Sequence, residues 1–145
     1  MNTIILYSLM AIGGTLGFCI LFRVPLRLFP ICGLIGGLSF FAYLLLTLHL
    51  NVSIPNATFF AAALVGLVSD ICSRLFKEAT TLFIIPGILP LAPGAYTYRS
   101  MQALIDNNAM STEQLCIETI QIAAAIAIGL LAMGAFSAVV RSIVS

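Results

Sequence analysis

Charge is what this sequence has least of. Asp, Glu, Lys and Arg make up 8% of its 145 residues against 61% hydrophobic residues, and mean hydropathy is +1.17. So little charge cannot solvate the surface of an ordinary water-soluble domain, which excludes that class. The net charge of +1 leaves no basic field for nucleic acid and no acidic tail. Tryptophan is absent, and the single histidine, His49, ends an apolar run, where it reads as an interfacial residue. Cys19, Cys32, Cys72 and Cys116 are scattered without CxxC or Cys–His spacing, so they read as small apolar residues with no metal or disulfide role. HExxH, GxSxG and P-loop patterns are missing, so neither an enzyme activity nor a cofactor is expected.

What is present is a succession of long apolar runs. At about 20 residues per crossing they fill the chain with four or five spans, so the sequence predicts an all-α integral membrane protein, one transmembrane domain over residues 1–145. Residues 3–22 form the first span, read as retained because Met1-Asn2-Thr3 lacks a basic leader region. Arg23-Val24-Pro25-Leu26-Arg27 is a basic turn, residues 30–50 a second span, Asn51 to Asn56 an uncharged turn, and residues 57–76 a third span ending at Arg74, Lys77 and Glu78.

The fourth span is different. Pro86, Pro90 and Pro93, with Gly87 and Gly94, interrupt an apolar segment between Pro86 and Gly94. Each proline lacks an N–H and clashes with the carbonyl four residues earlier, so the carbonyls of Leu82, Pro86 and Leu89 are released and one continuous helix is excluded. Irregular backbone at membrane depth persists where it is buried in protein or lines a wet cavity, and broken helices point to transporter binding sites. Pro93 is placed to restart a helix at its first position, running to Asn107, with Arg99, Gln102 and Asp106 on one side and Tyr98, Met101 and Ile105 on another. Asn107-Asn108 reads as its stop and Ser111-Thr112-Glu113-Gln114 as a capping box opening a last helix to about residue 140.

Basic residues favour the cytoplasmic side. If the broken segment crosses, Arg23, Arg27, Arg74, Lys77 and Arg141 lie inside and only Arg99 does not; if it is re-entrant, Arg99 replaces Arg141 and the count is tied. Length favours five spans, because about 14 helical residues at about 1.5 Å each plus the extended stretch nearly cover a core of about 30 Å. Small residues four apart, Gly13/Gly17, Gly33/Gly37, Ala62/Gly66 and Ala125/Gly129, permit close helix contact.

The restarted helix supplies the candidate substrate site. The N–H groups of Gly94, Ala95 and Tyr96, at the positive end of a helix dipole, suit a carboxylate or phosphate. Arg99 and Glu118 fall at similar depth if the restarted and last helices form a hairpin, with Tyr98 and Gln121 joining them. They read either as a substrate-carboxylate partner and a proton exchanger, or as a snorkelled salt bridge. Asp70, inside the third span, has Arg74 four residues on, which reads either as a structural pair or as a proton- or substrate-coupling pair.

Phe22-Arg23-Val24-Pro25-Leu26-Arg27, Ala57-Thr58-Phe59, Ser73-Arg74, and above all Ile88-Leu89-Pro90-Leu91-Ala92-Pro93-Gly94 followed by Tyr98 and Met101, resemble the bacterial threonine/serine exporter family. The nearest likeness is its small subunit, similar to the C-terminal half of the fused exporter; the two-subunit type is also linked to succinate export. The resemblance covers most of the chain. Pro90, Pro93 and Gly94 carry over as its motif, and Arg23, Pro25, Arg27, Thr58 and Arg74 match with less specificity. It implies a multi-pass half-transporter in the bacterial cytoplasmic membrane, exporting threonine or serine, or a dicarboxylate such as succinate. Its partner would be a larger membrane subunit, alongside lipid and a second copy of itself. The lack of a nucleotide site points to an ion gradient as the energy source. A non-transporting membrane scaffold is the contrasting expectation.

Overall fold

The computed structural model describes residues 2–106 and 109–144; for Asn2, Thr3, Ala109, Arg141 and Val144 the backbone alone is described. Six α-helices follow one another: α1 (Asn2–Leu21), α2 (Phe29–Leu48), α3 (Ile54–Phe76), α4 (Thr81–Ile88), α5 (Gly94–Ile105) and α6 (Ala109–Val144). Single 3-10 turns at Leu26–Leu28 and Leu89–Leu91 precede α2 and follow α4. The described residues contain no strand. Four stretches are long and apolar enough to cross a membrane, and α4 with its 3-10 turn and α5 make a fifth when taken as one bent span. The bend is 46°.

Local chemistry sets the ends. Proline at the first turn loses no hydrogen bond, so α2 starts at Phe29-Pro30 and α3 at Ile54-Pro55, the latter three residues before the expected start at residue 57. Arg23, Asn51 and Lys77 take left-handed backbone at the three turns. At Lys77 this lets the N–H groups of Lys77 and Glu78 both close on the Ser73 carbonyl. The capping-box residues Ser111 to Gln114 lie inside α6, not at its start, because only residues 106–108 connect it to α5. The expected stop at Asn107-Asn108 lies outside the described residues.

The packing follows from small residues. Gly33 and Gly37 bring α2 onto Ile12 and Leu16 of α1, while Gly36 sits against Thr15. The most extensive contact is α3 with α6. There Gly129 lies under Phe59, Ala62 and Ala63, Gly66 meets Leu130 and Met133, and Arg74 reaches Ser137. The numbers rise together along both helices, so α3 and α6 run parallel. Gly13 and Gly17 face open space instead of a neighbour, because α1 packs on α2 through other positions.

Cys19, Val24, Leu28, Cys32, Ile35, Ala61, Val65, Phe83 and Leu91 form one buried cluster joining α1, α2, α3 and the α4 segment. The periphery is the reverse of a soluble protein, with Leu21 and Leu131 each 72% exposed, as a lipid-facing surface requires.

Pro86 does not break the chain. It lies inside α4, and the carbonyl it releases, that of Leu82, accepts a hydrogen bond from the Cys32 thiol at 3.5 Å. One residue on, the Gly87 carbonyl accepts from Ser39 Oγ at 3.2 Å, a hydroxyl also 2.8 Å from the Gly36 carbonyl. The interruption therefore falls at residues 89–93. Ser39→Ala removes the hydroxyl shared by α2 and α4 and is expected to cost about 0.5–1.5 kcal/mol, read as a lower unfolding temperature in detergent.

Candidate functional site

The break is compact. After the 3-10 turn, the Ala92 N–H donates to the Leu89 carbonyl at 3.1 Å, satisfying the group that Pro93 releases. Pro93 then caps α5 from outside, with φ −77° and ψ 42°, and does not occupy its first helical position. This tight turn lets the Gly94 N–H donate to the Ala92 carbonyl at 2.8 Å, so that group is not free for a ligand. The Pro93 carbonyl accepts both the N–H and the hydroxyl of Thr97. The first-turn donors with no carbonyl four residues behind them inside the helix are then those of Ala95 and Tyr96.

A cleft of about 190 Å³ lies at this point. Its walls are Pro90, Leu91, Pro93, Ala95 and Tyr96 from the break, Phe40 and Tyr43 from α2, Ile54 and Thr58 from α3, and Ile122 from α6. Through Ile54 and Ile122 it adjoins a second cleft of about 250 Å³ that carries Glu118 and Gln121 beside Ser53 and Pro55. The structure thus brings Pro90, Pro93, Ala95, Tyr96, Gln121 and Glu118 into one neighbourhood. Gly94 is exposed with open space around it.

Arg99 and Tyr98 stand apart. Tyr98 is 70% exposed and Arg99 exposed, because α5 turns Ser100, 6% exposed, inward and carries its neighbours outward. Among the described residues the ion pairs are Arg27–Glu78 and Asp70–Arg74, so the expected Arg99–Glu118 pairing is not formed. Both the Arg99 and the Tyr98 side of α5 lie open, along with exposed Met101, Leu104 and Ile105.

At the other end of the bundle, Arg74 holds Asp70 at 2.8 Å and reaches Ser137 Oγ at 3.2 Å. Thr80 donates to Ser73 Oγ at 3.0 Å, and Ser73 to the Glu78 carbonyl at 2.6 Å. Arg27 pairs with Glu78, joining the α1–α2 turn to the α3–α4 turn. Arg23, Arg27, Arg74 and Lys77 therefore share one end, the cytoplasmic one by the bias of basic residues. Ser137 and Thr80 were not singled out by sequence reasoning. A lone serine in the apolar run of α6 was the available signal.

The lipid-facing bundle with an interrupted span defines a multi-pass membrane protein. Residues 7–136 match the family described as "Threonine/Serine exporter, ThrE", and the chain belongs to that family. A protein of Haemophilus influenzae described as "Uncharacterized protein" is 30% identical over 89 residues. That match takes in 61% of this chain and 30% of the relative, so the chain corresponds to under a third of that longer protein. No solved structure matches. Membership and architecture together place the chain in the bacterial cytoplasmic membrane as a multi-pass member of that family.

Proposed function

We propose that the chain is one half of a secondary exporter that moves small carboxylate-bearing metabolites, threonine and serine first, with a larger membrane subunit supplying the other half. The observation that carries this reading is the cleft at the break, where the first turn of α5 meets α2, α3 and α6. The Ala95 and Tyr96 N–H groups offer a carboxylate two donors and the positive end of the α5 dipole. Gln121 and Glu118 next door add a polar wall and a group able to exchange a proton. Pro90 and Pro93 fix the turn, and Gly94 keeps its outer side free of a side chain. Arg99 and Tyr98, open on α5, are available to the partner subunit. With no nucleotide motif in the sequence, an ion gradient supplies the energy, protons first.

Efflux of labelled threonine, serine and succinate from cells expressing this chain, the larger subunit, or both tests the reading. Export only with both is the expected result, and the exported compound names the substrate. Equal export by the larger subunit alone would make this chain a scaffold.

A further inference from the structure

A groove of about 370 Å³ follows the contact between α3 and α6 at the cytoplasmic end. Leu67, Ile71 and Leu75 of α3 form one wall, and Met133, Phe136 and Val140 of α6 the other. Leu67, Ile71, Leu75 and Phe136 are all exposed, so the groove opens on the lipid-facing surface. From Leu67 to Leu75 it is about 12 Å long at about 1.5 Å per residue, most of the depth of one leaflet in a hydrocarbon core of about 30 Å.

The charged group at its mouth is held in place. Arg74 donates to Asp70 at 2.8 Å and to Ser137 Oγ at 3.2 Å, both through Nη2, and its side chain stays 46% exposed. The guanidinium is thus tied to both walls at once. Among the described residues its Nη1 and Nε N–H groups have no partner, which leaves donors in the fixed fork that suits a phosphate.

We infer that this groove holds an anionic phospholipid of the cytoplasmic leaflet, with the phosphate on Arg74 and one acyl chain between α3 and α6.

Shape and charge select this occupant. A volume of about 370 Å³ spread over about 12 Å gives a mean cross-section of roughly 30 Å², against roughly 80 Å² for a helix about 10 Å across. An extended hydrocarbon chain fits between the walls, whereas a helix could only lay side chains on them. Lys77, three residues beyond Arg74, and Arg23 are exposed and form no ion pair among the described residues, so positive charge is in surplus at headgroup height. Basic pockets between helices on the cytoplasmic side favour anionic headgroups. A choline headgroup carries its own cation and gains less from that surplus. Asp70 lies one turn deeper than Arg74 with its side chain 18% exposed, so it orients the guanidinium from below and does not meet the headgroup.

Because the chain has no tryptophan, a single introduced one reports on its own surroundings. Leu67→Trp places it in the groove, about 10 Å deeper than Arg74; Leu131→Trp places it at similar depth on α6 but outside the groove, at a position 72% exposed. Each full-length variant is reconstituted in mixed bilayers in which either the phosphatidylglycerol or the phosphatidylcholine carries bromine at mid-chain, which quenches tryptophan on contact. At Leu67→Trp, phosphatidylglycerol is expected to bind at least about fivefold more tightly than phosphatidylcholine, and at Leu131→Trp the two are expected to agree within about twofold. Adding Arg74→Gln to Leu67→Trp is expected to bring that ratio within about twofold as well. Equal quenching by the two lipids at Leu67→Trp would overturn the site, and so would a preference that Arg74→Gln leaves intact. If Arg74→Gln fails to accumulate, the two reporters in the otherwise native chain still decide. Loss of quenching by both lipids when the larger subunit is reconstituted alongside would assign the groove to a protein partner and overturn the lipid site.

Discussion

Gly129→Leu is expected to abolish accumulation of folded protein, whereas Gly17→Leu leaves it near the wild-type level. A Cβ at Gly129 would stand 2.8 Å from the Phe59 carbonyl oxygen, 3.1 Å from Ala62 Cβ and 3.2 Å from the Ala63 nitrogen. Two of those atoms are backbone within α3, and the third is rigidly attached to it, so none can rotate away. The helices must move apart instead. That separation loosens the most extensive contact in the protein and opens the clefts beside it. Even Gly129→Ala is expected to cost about 1–3 kcal/mol, the usual range for overpacking a tight interior. In lipid no hydrophobic term drives the helices back together, since acyl chains solvate an apolar face equally well. At Gly17 a side chain meets nothing within 4 Å, so it extends into lipid. Monodispersity in detergent and unfolding temperature read the contrast directly.

The second large effect is functional. Ala95→Phe is expected to lower export at least tenfold with protein level and unfolding temperature unchanged, because a phenyl ring occupies much of a cleft of about 190 Å³ and covers the first-turn donors. Leu104→Phe places the same ring on the same helix at a position already 55% exposed, and is expected to export normally. Efflux of labelled threonine, scaled to membrane protein, measures the difference. Equal export by the two variants would remove the break cleft from the substrate's path.

Which of these features could be read from residues alone follows from the range of the interactions. The spans were legible because apolar length against bilayer thickness is a local property, and observed boundaries at Leu21, Leu48 and Phe76 lie close to those expected. The break was legible from Pro90 and Pro93. Its register was not, because Pro86 is accommodated by a thiol from another helix, Cys32, which local backbone rules cannot see. The Gly94 N–H was read as free, but the turn at Pro93 returns it to Ala92. Arg99 and Glu118 match in distance from the hairpin turn, yet facing each other depends on the rotation of both helices, which Ser100 settles for α5. The Asp70–Arg74 contact was visible because four residues of one helix suffice to define it; Ser137 lies 63 residues from Arg74 and becomes a neighbour only through the parallel course of α3 and α6.

That parallel course also relates the protein to the thickness of its membrane. Helix α6 has 36 residues and α3 has 23, so at about 1.5 Å per residue α6 is longer by roughly 20 Å. Ile122 and Ile54 line the same clefts, so the surplus lies before Ile122, in the part of α6 that pairs with α5. That surplus carries Glu113, Gln114, Glu118 and Gln121, so it is a polar extension and not a hydrophobic stretch to be fitted inside the bilayer. The α5–α6 hairpin therefore stands at the opposite face of the membrane from Arg23, Arg27, Arg74 and Lys77, where its polar side chains meet water.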